Sequence, residues 1–483
     1  MSTTLGHPEA RPHRNPQGDG TALSTVLPVH GTRTDTAGDR VQQMLHAPLL
    51  PTLFRLATPN VLGLFAMTIV IGYDGYILGL VGADALAGIA LVFPLSMLMM
   101  QMSAGGIGGA TTAAVARALG AGRRKDAGRL AQQSLLIAAL LALVFMVVML
   151  GGGRAIFSAM GGRGAALDAA LAYSNALFAG AAAIWFTNVL AAVVRGAGNM
   201  LLPSLLLVAT ALLHLLLSPL LVFGWGPVQG VGVAGAALST LTVNSLSALV
   251  MVAWLLRRDG AVHLQRTPWW PRLALWREVL RVGLPASLSP VISNASIAVA
   301  TALVGHYGTS ALAGYGVAAR LEYILVPIAF GFGTALTAMV ATNMGAGQQA
   351  RALRVTWAGG AVVAAITGAI GLVTAFAPGL WMGLFTQDAA VLAVGGVYLN
   401  IVGGCYVFFG LGLALFFASQ GAGRMAWPLA SSMGRLLILA IGGWLCVHVF
   451  QTPAQGLFAV IALSLAVYGA SLAAAIHLGG WTR

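Results

Sequence analysis

Charge is scarce in this chain. Only 8% of its 483 residues are Asp, Glu, Lys or Arg, against about a quarter in a soluble globular protein. With 58% hydrophobic residues, that shortage excludes an ordinary water-soluble domain and points to a polytopic membrane protein. The sole lysine, Lys125, is followed by Asp126, so there is no Gly-Lys-Ser/Thr stretch and no ATP site is expected. Two cysteines, Cys405 and Cys446, lie in apolar stretches without metal-ligand spacing and read as small packing residues. Neither a His-Glu-x-x-His helix nor a clustered pair of acids is present. An intramembrane lipid-modifying enzyme would need such a constellation, so the chain is read as no enzyme, without metal or cofactor.

Long apolar runs are what the chain has in their place. Twelve runs of about 20 residues, enough to cross a bilayer, recur between Leu53 and Leu478. Residues 1–49 differ: they are rich in Pro, Gly, Thr, His and Arg, lack an apolar signal-peptide core, and read as a disordered cytoplasmic tail. The first span then serves as the targeting signal. The net charge of +13 sits in alternate loops, notably Arg123–Arg129 and Arg257–Arg281, with only Arg154 and Arg163 on the other side. By the positive-inside rule both termini are cytoplasmic. The charge therefore sets orientation rather than marking a nucleic-acid partner. The expected location is a bacterial inner (plasma) membrane, with the protein a monomer.

The sequence repeats itself. "LVGADALAGIAL" (Leu80–Leu91) returns as "LVGHYGTSALAGYGV" (Leu303–Val317), and "VRGAGNM" (Val194–Met200) as "SQGAGRM" (Ser419–Met425). "RLATPNVL" (Arg55–Leu62) matches "RVGLPASL" (Arg281–Leu288), and "ARALGAGRRKDAGRL" matches "ATNMGAGQQARALRV"; these pairs and the shared "ALAG" of the first are offset by 225 or 226 residues. Six spans per half put both halves on the same starting face, so the repeats are parallel. The expected fold is an all-α membrane protein, twelve transmembrane helices in two six-helix lobes related by a pseudo-two-fold axis along the membrane normal. The N-terminal lobe is placed at 50–258, a cytoplasmic connector at 259–276 and the C-terminal lobe at 277–483. Asp84 and its counterpart Ser310 read as helix N-caps. The Gly-Ala-Gly pieces read as helix C-caps or tight turns.

Several pieces, in this order and doubled, carry a family resemblance: "GYDGYILGLVGADALAG", "QMSAGGIGGATTAAVARALGAG", "RGAGN", "GVAGAALST" and "ALAGYGVAARLEYILVPIAFGFGTAL". From Pro51 to Leu478 the chain resembles the multidrug and toxic compound extrusion (MATE) family, closer to the proton-coupled DinF-like type than to the NorM type. The resemblance implies a V of two lobes with a shared cavity. It also implies export of amphipathic, mostly cationic compounds in exchange for protons or sodium.

Asp74, in "VIGYDGYILGL", falls where the family has an acid late in its first helix. Pro59, 15 residues earlier, matches a family proline that lets this helix bend; it removes one backbone hydrogen bond. A carboxylate in apolar surroundings is costly unless useful. In the fifth span, proton-coupled relatives show Asn-x-x-x-Asp-Pro. Here "HLLLSP" keeps the spacing with His214 and Ser218, four apart on one helix face. His214 is either a proton partner for Asp74, since imidazole titrates near neutral pH, or a neutral bridge between helices. Thr240 matches a family threonine near this cluster. Glu322 is the second acid in an apolar run, read as a cavity charge or second cation site, or else as an interlobe salt bridge to an arginine such as Arg435. Spans seven and ten lack the acids of sodium-coupled relatives, which favours H+ over Na+ as coupling ion. Tyr73, Ser289, Ser293, Asn294, Tyr398, Asn400 and Tyr406 are expected to line the substrate cavity. A flippase for lipid-linked precursors or oligosaccharides is the neighbouring reading; it would need several cavity arginines, for which Arg320 and Arg435 are the candidates.

Overall fold

The computed structural model describes residues 37–257, 262 and 269–481. In a bilayer every backbone N–H must find its acceptor within its own segment, and the apolar runs accordingly form helices. The first lobe begins with α2 (Leu49–Val81). Its second span is α3 (Ala83–Gln101), a π-helical turn (Met102–Ile107) and α4 (Gly108–Gly120). Then come α5 (Arg124–Ala159), α6 (Gly164–Ala179) with α7 (Ala181–Gly196), α8 (Leu201–Phe223) and α9 (Val233–Leu255). Between α8 and α9, Gly224–Trp225 pairs antiparallel with Val228–Gln229. The second lobe runs through α10 (Leu273–Gly305), α11 (Thr309–Ala319) with α12 (Glu322–Gly345), and α13 (Gln349–Phe376). After the short α14 (Pro378–Met382) come α15 (Ala389–Val402) with α16 (Tyr406–Ala422), α17 (Ala426–Leu437) continued by two π-helical turns to Val449, and α18 (Ala454–His477). Helices α6 and α7 bend by 49° at Gly180; counted as one span, they bring to twelve the helices among the described residues that are long and apolar enough to cross a membrane.

The repeat is visible atom by atom. Thr112 donates to the Ala192 carbonyl at 3.0 Å, and its counterpart Thr337 donates to that of Phe417 at 2.9 Å. The two lobes meet through the same elements: a Cβ on Gly120 would lie 2.0 Å from the Thr342 carbonyl oxygen, and one on Gly345 would lie 2.0 Å from that of Arg117. Only glycine permits this reciprocal crossing of α4 and α12.

The joins between the lobes gather at the end where α2 begins and α4 and α12 finish, here termed the proximal face. Phe54 packs edge-on against Phe332 with centroids 5.4 Å apart. Arg117 donates to the Gly421 carbonyl at 3.0 Å and pairs with Glu278 at 3.8 Å. Gln420 donates to the carbonyls of Gly105 and Gly106 at 2.8 and 3.3 Å. Asn60 donates to Thr334 at 2.9 Å. The lobes are thus joined proximally.

Three sequence expectations need correction. A helix, α1 (Ala37–His46), lies within the expected tail; residues 1–36 of that tail fall outside the described residues. Helix α10 starts at Leu273, inside the expected connector. Asp84 and Ser310 are not caps: Gly82 and Gly308, with φ of 147° and 100°, start these helices earlier and leave both residues in the first turn. Positive-φ glycines do end helices in the four Gly-Ala-Gly pieces, at Gly122, Gly198, Gly347 and Gly423.

Candidate functional site

Asp74 lies about 37 Å along α2 from its start, by helical rise, well past the closed seam. One carboxylate oxygen accepts from the His214 Nε2 at 2.8 Å, and Ser218 approaches the same oxygen at 3.4 Å. His214 Nδ1 meets the Ser239 hydroxyl at 3.0 Å. His214 and Ser239 are fully enclosed, while the Asp74 side chain keeps 20% of its surface accessible. The cluster therefore runs from a reachable carboxylate into the lobe interior, across α2, α8 and α9. Tyr173 of α6 packs against a neighbouring apolar cluster of Ile77, Leu78, Val222 and Ala236.

The chemistry follows from the donor inventory. With Asp74 ionised and His214 neutral, Nε2–H donates to the carboxylate and Nδ1 accepts from the Ser239 hydroxyl. A proton added to the ring makes Nδ1 a donor, and the hydroxyl turns to accept it. Both states are satisfied without moving a heavy atom, so the triad can hold or release one proton. A hard cation prefers an all-oxygen cage, whereas this carboxylate is met by an imidazole. Among the described residues no group of three or more His, Cys, Asp or Glu could hold a metal ion.

Helix α2 is fastened to α8 at two levels. Distally, Tyr73 donates to the Leu215 carbonyl at 3.0 Å beside the Asp74–His214 bond. Proximally, Ser204 donates to Asn60 Oδ1 at 2.8 Å, and Asn60 itself reaches Thr334 of the other lobe. Asn60 and Asp74 are about 21 Å apart along the helix. Pro59 sits beside Asn60 within one continuous helix, where the Arg55 carbonyl lacks its usual intrahelical donor.

Other expected site residues fall elsewhere. Thr240 is turned away from the cluster, its hydroxyl bonded to the Ala236 carbonyl at 3.1 Å. Successive helical residues point about 100° apart, so its neighbour Ser239 takes the place. Tyr73 holds two helices together rather than lining a cavity. Tyr398 and Tyr406 are core residues, 1% and 0% exposed; Tyr398 stacks edge-on with Tyr315 and Phe458. Ser289 is buried against Ser432 at 3.3 Å. Ser293 is half-buried on α10, and Asn294, though exposed, turns back to the Pro290 carbonyl at 2.9 Å. Asn400 lines a cavity of about 460 Å³ with Leu372, Phe376 and Pro378, between α13 and α15 of the second lobe.

Glu322 opens α12 after a break in the eighth span, where a helix N-terminus favours an acid. Arg435, Tyr315, Tyr398 and Tyr406 lie in its neighbourhood. Arg435 lies in the same lobe, its guanidinium 5.8 Å over the Phe409 ring, so an interlobe salt bridge between the two is ruled out. Arg320 lies over Phe385 at 5.7 Å.

Sequence reasoning missed Asn60, Ser239 and a cavity on the seam. That cavity, about 10 Å³, is lined by Thr112 and Arg195 of one lobe and by Thr337 and Gln420 of the other. Arg195 and Gln420 occupy equivalent positions of the repeated "RGAG" and "QGAG", a signal present in the sequence. Among the described residues Arg195 has no hydrogen-bond or ion-pair partner, and the buried Gln420 Oε1 is also without one.

The chain is similar over 82% of its length to the FAD transporter of Shewanella oneidensis, at 26% identity and covering 88% of that protein. It is 24% identical to the multidrug export protein MepA of Staphylococcus aureus (strain NCTC 8325 / PS 47), covering 81% of this chain and 86% of MepA. A MOP superfamily transporter from Pyrococcus furiosus, whose binding pocket is described as reversed in polarity, superposes with a TM-score of 0.83. Identity to it is 25%, over 91% of this chain and 98% of that one. An outward-facing MATE family multidrug resistance transporter shares the fold with a TM-score of 0.83 at 24% identity, over 92% and 98% of the two chains. The MatE family model matches residues 59–220 and again 285–445, once in each lobe, and the chain belongs to the MATE family of membrane transporters.

Proposed function

We propose that this protein is a proton-coupled antiporter that expels amphipathic organic compounds across a bacterial inner membrane by alternating access. The observation that carries the reading is the Asp74–His214–Ser239 chain, at 2.8 and 3.0 Å, inside a lobe whose first helix also holds the seam. A proton taken up by the Asp74 carboxylate weakens it as the acceptor for His214 and Ser218, and so loosens the bond between α2 and α8. Both helices meet again at Asn60, which grips Ser204 and, across the seam, Thr334. A shift of α2 on α8 therefore acts on the interlobe bond directly, and Pro59 lets the helix yield there. The proximal face is cytoplasmic in this reading, because the basic loops gather there, and the lobes are then joined on the cytoplasmic side.

A second reading concerns the cargo. Arg195, without an acidic partner on the seam, favours compounds carrying an anionic group over purely cationic ones; a cation in a membrane interior calls for a counter-charge. The likeness to a protein named for FAD export, and to one whose pocket polarity is reversed, supports testing it.

The experiment is efflux from proteoliposomes under separate proton and sodium gradients, with ethidium and with flavin nucleotides as cargo. Wild type should export under a proton gradient alone. Asp74→Asn should lose gradient-driven export while still binding cargo, and His214→Ala should follow it. Export driven only by sodium, or undiminished in Asp74→Asn, sinks the coupling assignment. Arg195→Gln should weaken flavin export and spare ethidium if the second reading holds.

A further inference from the structure

Helix α1 precedes the first span and crosses the seam. One side of it faces the protein: Met44 is 1% and Leu45 7% exposed, and Val41 packs on the same core. Its attachment to the first lobe is covalent, through Ala47 and Pro48 into α2. Arg55 of α2 adds a hydrogen bond to Gln43. At the turn after α7, a Cβ on Gly198 would lie 3.0 Å from the Met44 methyl group and 3.2 Å from the Arg40 Cβ.

The far side of α1 is held by the second lobe. Asn343 donates to the Met44 carbonyl at 3.1 Å, and the Thr342 hydroxyl lies 3.9 Å from the Met44 sulfur. Arg351, at the start of α13, donates to the Ala47 carbonyl. These carbonyls belong to the last turn of α1 and the residue after it, where a helix leaves acceptors unfilled. The second lobe thus supplies donors to the end of a helix that belongs to the first.

We propose that α1 is a strap that holds the proximal face shut, and that it must release the second lobe before the cleft can open on that face. The physical reason is geometric. When the lobes part proximally, α1 stays with α2 through the chain, so the bonds to Asn343, Arg351 and Thr342 are the ones that break. Those residues lie beside Gly345, where α12 crosses α4, so the strap and the crossing open together. Two surfaces that close on each other need no third element unless its release is to be controlled. The strap makes the proximally joined state persist until α1 lets go.

The test uses the full chain in a background with Cys405→Ala and Cys446→Ala. In one arm Met44→Cys and Thr342→Cys are joined by a short thiol-to-thiol crosslinker. Efflux should stop on crosslinking and return when a cleavable linker is cut. In the other arm Asn343→Ala with Arg351→Ala should raise proximal-side labelling of a seam cysteine (Thr112→Cys) by a membrane-impermeant maleimide about tenfold, a shift of about 1.4 kcal/mol. Full transport by the crosslinked protein overturns the proposal. So does wild-type labelling in the double variant; should that variant fail to fold, the crosslinking arm decides alone.

Discussion

Gly345→Ala offers a direct measure of how tightly the lobes are closed. The new Cβ would stand 2.0 Å from the Arg117 carbonyl oxygen and 2.8 Å from its carbonyl carbon. Relaxed carbon-to-oxygen contacts lie at roughly 3.3–3.6 Å, so α4 and α12 must separate by more than about 1 Å. The obstructing atoms are backbone on both sides and have no rotamer to escape into. Overpacking of this kind costs about 1–3 kcal/mol, and nearly all of it falls on the state in which the lobes touch. The contact lies between the lobes rather than inside either one, so yield and monodispersity in detergent should hold. The proximally closed state should lose about 5- to 150-fold in population, the equivalent of that energy. The assay is the rate at which a cysteine at position 112 reacts with impermeant maleimide from the proximal side. Gly120→Ala, at the equivalent crossing, should act alike, and the two together should give less than the sum of their effects because they open one interface. Gly314→Ala, whose Cβ would meet Val391 and Gly395 within the second lobe, should not change the rate. Unchanged labelling in a well-folded Gly345→Ala protein would refute the close crossing of α4 and α12.

Further outcomes follow from the cluster and the core. Ser239→Ala leaves His214 Nδ1 enclosed without a partner, which costs about 1–3 kcal/mol, and should change the pH profile of efflux; Thr240→Val should leave that profile unmoved, and the reverse result would restore Thr240 to the cluster. Tyr398→Ala should lower stability by about 3–5 kcal/mol, as removal of a large core aromatic does, read as a fall in melting temperature with cargo affinity retained. A cavity-lining role would give the opposite pattern.

Much of the architecture was legible because it was written twice. The offset of 225 residues foretold the two lobes, and the same offset recurs in the bonds of Thr112 and Thr337. The meeting of Asp74 with His214 was legible because the four-residue step puts His214 and Ser218 on one helix face; between proton partner and neutral bridge the sequence left His214 open, and the structure sets it between Asp74 and Ser239. What failed did so for local reasons. Thr240 was off by one residue, which on a helix is a rotation of about 100°. Tyr398 and Tyr406 have an apolar body and a polar tip, and sequence does not tell which of the two a site uses. Asp84 and Ser310 have the chemistry of caps, but a positive-φ glycine ahead of each had already begun the helix. Helix α1 hides in a polar segment because only a few of its side chains face inward; its stability comes from the surface it rests on.

The two halves run in the same sense through the bilayer, and this constrains how the transporter turns around. In folds whose repeats point in opposite senses, exchanging the shapes of the two copies converts one orientation into the other. Here that exchange would return the same orientation, since both copies present the same end to the same compartment. In the alternating-access reading proposed above, reversal comes instead from the lobes parting at one face and joining at the other, with bending inside individual helices to accommodate it. The pliant points are already marked by the π-helical turns at Met102–Ile107 and Ile438–Gly442, the 49° bend at Gly180, and the proline at position 59.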